Sequence, residues 1–260
     1  MKVRIISALI LIPLLYAVYS GGWILKIAGF IIGLMALKEF YNAFKGLEIK
    51  PSFMIGTVSS IILYLFIFFN ILNHLWSLWI FITILLILLT ILIKKDSWVK
   101  EGAVTALGIL YVVFFSFHVI LIDNIEKYNI MIWLVFVTAF VTDTCAYFSG
   151  YLFGKHKLWP EISPKKTIEG AVGGTIGSIV VSALFGYFMA SDLMMHYIII
   201  GFIGSIAGQT GDLTASAFKR RLGIKDFGTM IPGHGGILDR FDSILLTAPI
   251  IYYYIILFIQ

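Results

Sequence analysis

The chain has 260 residues, 60% of them hydrophobic and only 13% charged, with a formal net charge of +5. Its mean hydropathy of +0.99 excludes a soluble globular domain, which is nearer half apolar and about a quarter charged. The positive charge lies in short loops beside apolar runs, a pattern that suits anionic headgroups and soluble anions and makes nucleic acid a poor partner.

A membrane-spanning helix needs about 20 predominantly apolar residues. In chain order such runs cover residues 5–20, 23–44, 54–71, 75–93, 103–122, 130–153, 170–190, 196–217 and 241–259. The expectation is an all-α polytopic membrane protein with about nine transmembrane helices. The first run is short and contains Pro13, so it is the weakest span. Lys2, Arg4 and the run after them would also begin a cleaved signal peptide, but no small-x-small cleavage pattern follows.

Basic residues set the orientation, because they accumulate in cytoplasmic loops. Lys2 and Arg4 precede the first run, and Lys38, Lys45 and Lys50 follow the second. Lys94, Lys95 and Lys100 follow the fourth, and Lys155, Lys157, Lys165 and Lys166 follow the sixth. Lys219, Arg220, Arg221, Lys225 and Arg240 follow the eighth, so 17 of the 19 Lys and Arg fall on one face. Only Lys26 and Lys127 fall on the other. The N-terminus is expected in the cytoplasm and the C-terminus outside, in a multi-pass protein of the cell membrane.

The chain changes character near residue 129, within what reads as one integral membrane domain. Residues 1–129 are plain spans of scaffold character. There Lys38 and Glu39 read as a helix end reaching water, and His74 and His118 as packing or interface residues. Residues 130–260 read as the C-terminal spans that carry the site, and within them residues 130–242 concentrate the glycines and the in-membrane acids. Gly170 and Gly174, Gly173 and Gly177, and Gly204 and Gly208 are each four apart, the spacing that lets helices approach closely in lipid. No Walker-type motif is present to make a phosphate cradle of them. The single cysteine, Cys145, excludes a disulfide framework and reads as core packing.

Asp143 and Asp212 sit inside predicted spans, where an unpartnered carboxylate costs several kcal/mol. Asp143, Tyr147 and Gly150 share one helical face, and so do Asp212, Ser216 and Lys219. Each stripe leads from an acid toward the basic loops; pairing with a lysine or capping of backbone groups is the plainer alternative. In Ser163-Pro164-Lys165-Lys166-Thr167-Ile168-Glu169-Gly170, Ser163 or Thr167 can cap a helix beginning near Glu169. Lys165 and Lys166 would then stand at a helix N-terminus, where charge and dipole favour a phosphate.

The densest polar stretch runs from Ser216 to Asp242. Gly233, His234, Gly235 and Gly236 form a turn whose glycines allow backbone N–H groups to aim at an anion. Asp239 and Asp242 follow with helical i, i+3 spacing, also a common arrangement for helix caps. With Asp143 and Asp212 emerging on the same face, three or four carboxylates would converge and repel one another, and a divalent cation relieves that. Oxygen-only ligands suit Mg²⁺ or Mn²⁺, with a second, monovalent cation left open. His234 reads as a phosphate or ribose contact, and His156 and His196 as interfacial. Acids, basic residues and a glycine turn, without an activated Ser or Cys, point to phosphoryl-type chemistry, in which the protein positions reactants and neutralises charge.

At these residues the chain resembles the phosphatidate cytidylyltransferase family, also called CDP-diacylglycerol synthases. The resemblance rests on Ser216, Lys219, Arg220, Lys225, Asp226, Pro232, His234, Gly235, Gly236, Asp239, Arg240 and Asp242, and on the stretches Asp143–Phe148 and Ser163–Gly170. It covers about residues 140–245. It implies transfer of CMP from CTP onto phosphatidate with Mg²⁺, at a site facing the cytoplasm, with membrane lipids around it and a homodimer compatible with it. On that resemblance Asp212, Asp239 and Asp242 hold metal, and Asp143 is a further ligand or supporting acid. Lys165, Lys166, Lys219, Lys225 and Arg240 hold phosphates, with Arg220 and Ser163 in the same substrate-binding set. Ser216 and His234 position them, beside the Gly235 and Gly236 amides. A CTP-dependent lipid kinase and an ion-coupled transporter are the rival readings.

Overall fold

The computed structural model describes residues 12–93, 98–230, 233 and 235–260. Helices follow the apolar runs: α1 (Gly22–Ala43), α2 (Phe53–Phe68), α3 (Leu72–Ile93), α4 (Trp98–Gly108), α5 (Phe115–Asp123), α6 (Ile132–Phe153), α7 (Ile168–Met189), α8 (Met194–Arg221) and α9 (Leu238–Phe258). A π-helical turn, Ile109–Phe114, joins α4 to α5, giving one apolar rod of 25 residues from Val99 to Asp123. Among the described residues, that rod, α6, α7, α8 and α9 are the five helices long and apolar enough to cross a membrane, while Phe53–Phe68 and the stretch Leu75–Thr90 of α3 are shorter apolar segments. The architecture is the all-α polytopic one expected. Residues 12–20 are helical too, while Lys2, Arg4 and the start of that first run lie outside the described residues.

Among the described residues, a small hairpin departs from the all-helical expectation. Lys157–Trp159 (β1) and Ser163–Thr167 (β2) form an antiparallel hairpin, with Lys157 opposite Thr167 and Trp159 opposite Ser163. Lys165 and Lys166 therefore lie in an extended strand, not in the first turn of a helix. The hairpin closes because the Ile168 N–H donates to the His156 carbonyl at 2.9 Å. Glu169 then accepts from the Lys155 and His156 amides and meets His156 Nδ1 at 2.7 Å.

The chain forms two compact units, residues 1–117 with 222–240, and residues 118–221 with 241–260. In the first, the fully buried Leu37, Phe40, Leu63, Trp79, Ile109, Val112 and Phe117 make the core. Several polar groups there are satisfied internally, as lipid requires. Trp79 Nε1 donates to the Ser59 carbonyl at 3.0 Å, Ser59 and Thr83 share a 2.8 Å hydrogen bond, and the Tyr41 hydroxyl donates to the Thr105 carbonyl at 2.7 Å.

The second unit is held by close approach of helix backbones. A Cβ on Gly170 would come 2.8 Å from the Ala146 carbonyl oxygen, and one on Gly174 2.8 Å from that of Thr142, while Gly177 faces Cys145. These contacts pack α7 on α6. On α8, Gly204 faces Thr138 of α6, and Gly208 faces Thr247 and Ser243 of α9. Ser178 donates to the Gly201 carbonyl at 2.9 Å, and Gln209 Nε2 reaches Thr175 Oγ1 at 3.1 Å. The glycine pairs thus work as helix contacts, with hydroxyl and amide side chains bonding across them. His118 is buried against the rings of Tyr252 and Tyr253, and His196 Nδ1 lies 3.0 Å from the Tyr254 hydroxyl.

Candidate functional site

The second unit gathers three in-membrane aspartates from three helices. Gly211 is what makes this possible: a Cβ there would lie 2.6 Å from the Asp242 carbonyl oxygen. Without that Cβ, α8 and α9 touch through backbone, and Asp212 and Asp242 become neighbours. Asp143 of α6 interacts electrostatically with Asp212 and with Lys166, and Asp242 interacts with Asp212, Lys219 and Asp143. Three carboxylates thus face two ammonium groups.

The partners are specific. Lys166 Nζ of β2 lies 2.5 Å from Asp212 Oδ2, which explains why the hairpin matters to the site. Ser216 donates to Asp212 Oδ1 at 3.3 Å, as the i, i+4 stripe on α8 anticipates. Asp242 is 9% exposed and accepts from the Ser243 N–H at 2.8 Å. The Ser243 hydroxyl is buried and approaches Asp143 without a well-formed hydrogen bond. Asp143 itself is exposed at the surface of this unit, so the cluster is open on that side.

Other residues of the hairpin region have structural partners. Thr167 caps α7, its hydroxyl accepting from the Gly170 N–H at 3.1 Å. Ser163 pairs with Trp159 across the hairpin, and Lys165 is exposed. Arg220 Nε donates to the Ile162 carbonyl at 3.3 Å, tying the end of α8 to the hairpin loop.

The first unit carries the glycine turn. Gly233 and Gly235 adopt positive φ of 76° and 85°, conformations that L side chains rarely take. Asp239 Oδ2 accepts from the Phe227 N–H at 2.8 Å and the Gly236 N–H at 3.0 Å, so it folds the turn back on itself. The Asp226 and Asp239 carboxylates flank Gly235. Lys225 and Arg240 are exposed, and His234 and Pro232 lie outside the described residues.

Glu39 is the residue that sequence reasoning misplaced. It does not reach water. It is 6% exposed and accepts from the Ile237 N–H at 3.1 Å and the Leu238 N–H at 2.9 Å, at the very start of α9. A Cβ on Gly228 or Gly236 would run into its carboxylate. Phe40, next in sequence, packs against Phe227 with ring centroids 6.2 Å apart.

Among the described residues no group of three acidic, histidine or cysteine side chains is arranged to hold a metal ion. The donor chemistry of Asp143, Asp212, Asp242 and Ser243 nevertheless fits a hard cation, being oxygen throughout with one buried hydroxyl lacking a regular partner. Lys166 supplies the positive charge beside Asp212.

Over residues 2–258 the sequence matches the model of the Cytidylyltransferase family. It is 36% identical over 260 residues to the phosphatidate cytidylyltransferase of Staphylococcus haemolyticus (strain JCSC1435), across 96% of this chain and 97% of that protein. The phosphatidate cytidylyltransferase of Bacillus subtilis (strain 168) is 40% identical over 182 residues, 68% of this chain and 67% of that one. That of Staphylococcus aureus (strain COL) is 37% identical over 258 residues, 96% and 97% of the two chains. The likeness runs well beyond residues 140–245, into the helices that sequence reading treated as scaffold.

Proposed function

The chain belongs to the cytidylyltransferase family, and we propose that the aspartate–lysine cluster of its second unit is where CMP passes from CTP to phosphatidate. The enzyme is a nucleotidyltransferase that makes CDP-diacylglycerol. The observation that carries the site assignment is the meeting of Asp143, Asp212 and Asp242 with Lys166 and Lys219.

A phosphatidate oxygen attacks the α-phosphorus of CTP, one P–O bond forms, the bond to the β-phosphate breaks, and diphosphate leaves with the electron pair. The nucleophile is already ionised, so no side chain needs to remove a proton. What the protein must supply is positive charge and alignment among several phosphates. Lys166 and Lys219 serve that purpose, helped by Lys165, Arg220, Lys225 and Arg240. Ser216 fixes the Asp212 carboxylate. Backbone amides of the turn at Gly235 and Gly236, with His234, are assigned to phosphate or ribose. Asp143, Asp212 and Asp242 would hold Mg²⁺ or Mn²⁺, and a bound divalent ion would neutralise phosphate charge at this point. Asp239, which shapes the turn, is kept with them as a proposed metal-binding carboxylate.

CTP is cytosolic and phosphatidate is anchored by its acyl chains, so the cluster is assigned to the cytoplasmic face of a multi-pass protein. Thin-layer analysis of lipid made from CTP labelled on either the α- or the γ-phosphate tests the reaction. Label entering lipid from the α position supports it. Entry from the γ position, as a lipid kinase would give, rejects it.

A further inference from the structure

Glu39 belongs to α1, far in sequence from the acids just described, yet its two oxygens grip the first amides of α9. The opening N–H groups of a helix have no partner within it and carry partial positive charge, so a carboxylate is well placed there. Bonds from N–H groups to a carboxylate are also roughly twice as strong as neutral ones. A helix needs only a neutral Ser, Thr or Asn for capping. Burying an acid carried by another helix costs several kcal/mol in desolvation, and a cap alone does not justify it.

The surroundings show what that acid holds in place. Gly228 and Gly236 face the Glu39 carboxylate so closely that neither has room for a Cβ. Gly236 also donates to Asp239, and Phe227, which donates to the same Asp239 oxygen, packs on Phe40. Two neighbouring residues of α1 therefore meet Phe227 and Gly236, the two residues whose amides Asp239 binds. Asp242 follows one helical turn further along α9.

We propose that Glu39 is a positioning residue of the cytidylyltransferase reaction, its buried carboxylate fixing the glycine turn and the first turn of α9 that bears Asp239. It touches neither substrate nor reacting atoms; it acts through the backbone of Ile237 and Leu238. The glycine at 236 is thereby explained as room for Glu39.

The test uses the full-length enzyme in detergent with CTP, phosphatidate and Mg²⁺. Glu39→Ala should lower kcat by about 100-fold, the loss that a displacement of about 1 Å brings, with a much smaller change in KM for CTP. Amide exchange should quicken in peptides covering residues 226–239 and stay unchanged in α6, α7 and α8. Glu39→Gln keeps the shape and one acceptor oxygen, and should recover part of the loss. If Glu39→Ala does not fold, Glu39→Gln decides: a folded variant slowed about tenfold supports the proposal, since losing one charge-assisted bond is worth about that factor. Native kcat in Glu39→Gln, or activity lost only in proportion to folded protein, overturns it. The proposal rests on the assignment of the turn to catalysis, and the two fail differently. Retained turnover in Asp239→Asn rejects the assignment of Asp239 whatever Glu39 does. An inactive Asp239→Asn beside a Glu39→Ala turning over within about threefold of native rejects Glu39 alone.

Discussion

Lys166 Nζ and Asp212 Oδ2 are 2.5 Å apart, an ion pair that fastens strand β2 to helix α8 inside the second unit. Both side chains are about three-quarters enclosed, with 27% and 25% exposure. A lysine held so closely against an acid is oriented before any phosphate arrives.

Lys166→Met should therefore lower kcat/KM for CTP by about 10- to 100-fold, the worth of one hydrogen bond to a charged group. Lys165→Met, at an exposed neighbouring position, should cost less. Steady-state kinetics at saturating phosphatidate measures both. Equal losses in the two variants would show that general basicity, and not the ion pair, is what matters.

Gly211→Ala places a methyl group against the Asp242 carbonyl and Ser243. Such overpacking typically costs about 1–3 kcal/mol, and here it also pushes Asp212 away from Asp242. Both Tm in detergent and turnover should fall. Gly46→Ala is the control, because a Cβ at Gly46 meets nothing within 4 Å, and it should stay within about 0.5 kcal/mol of native.

Lys155 and Lys127 are both exposed, beyond the C-terminal end of α6 and ahead of its start. In a Cys145→Ala background, Lys127→Cys should react with a membrane-impermeant maleimide in intact cells. Lys155→Cys should react only after permeabilisation. The opposite pattern would put the cluster on the wrong face for CTP.

Much of the molecule was legible in sequence because lipid imposes simple rules. Long apolar runs mark the helices, and glycines four apart mark where they touch. Asp143 and Asp212 stood out as acids without business in hydrocarbon, and Asp242 by its place after the glycine turn; what brings Asp212 to Asp242 is Gly211, which belongs to none of those pairs. The hairpin was not legible. Its strands are three and five residues long, and Ser-Pro-Lys-Lys-Thr has no alternation of apolar and polar residues. Glu39 was misread for a different reason. An acid beside a lysine at a helix end ordinarily faces water, and its actual partners lie 198 and 199 residues further along the chain. No local pattern encodes a bond of that span. Thr167 shows the intermediate case: it was one of two candidate caps, with Ser163, and the structure selects it, but the strand leading into it was not readable.

The assignment of the reaction to the carboxylates of α8 and α9 is tested most directly by Asp212→Asn and Asp242→Asn. Each keeps the side chain's shape and removes its charge. Turnover of CTP and phosphatidate should be measured across a Mg²⁺ titration, with folding checked by helix content and elution from a sizing column. Losses of about 10²- to 10³-fold are expected, as for removal of a charge-stabilising group at a reacting centre, together with a raised Mg²⁺ requirement. Two well-folded variants turning over at the native rate with the native Mg²⁺ dependence would contradict it.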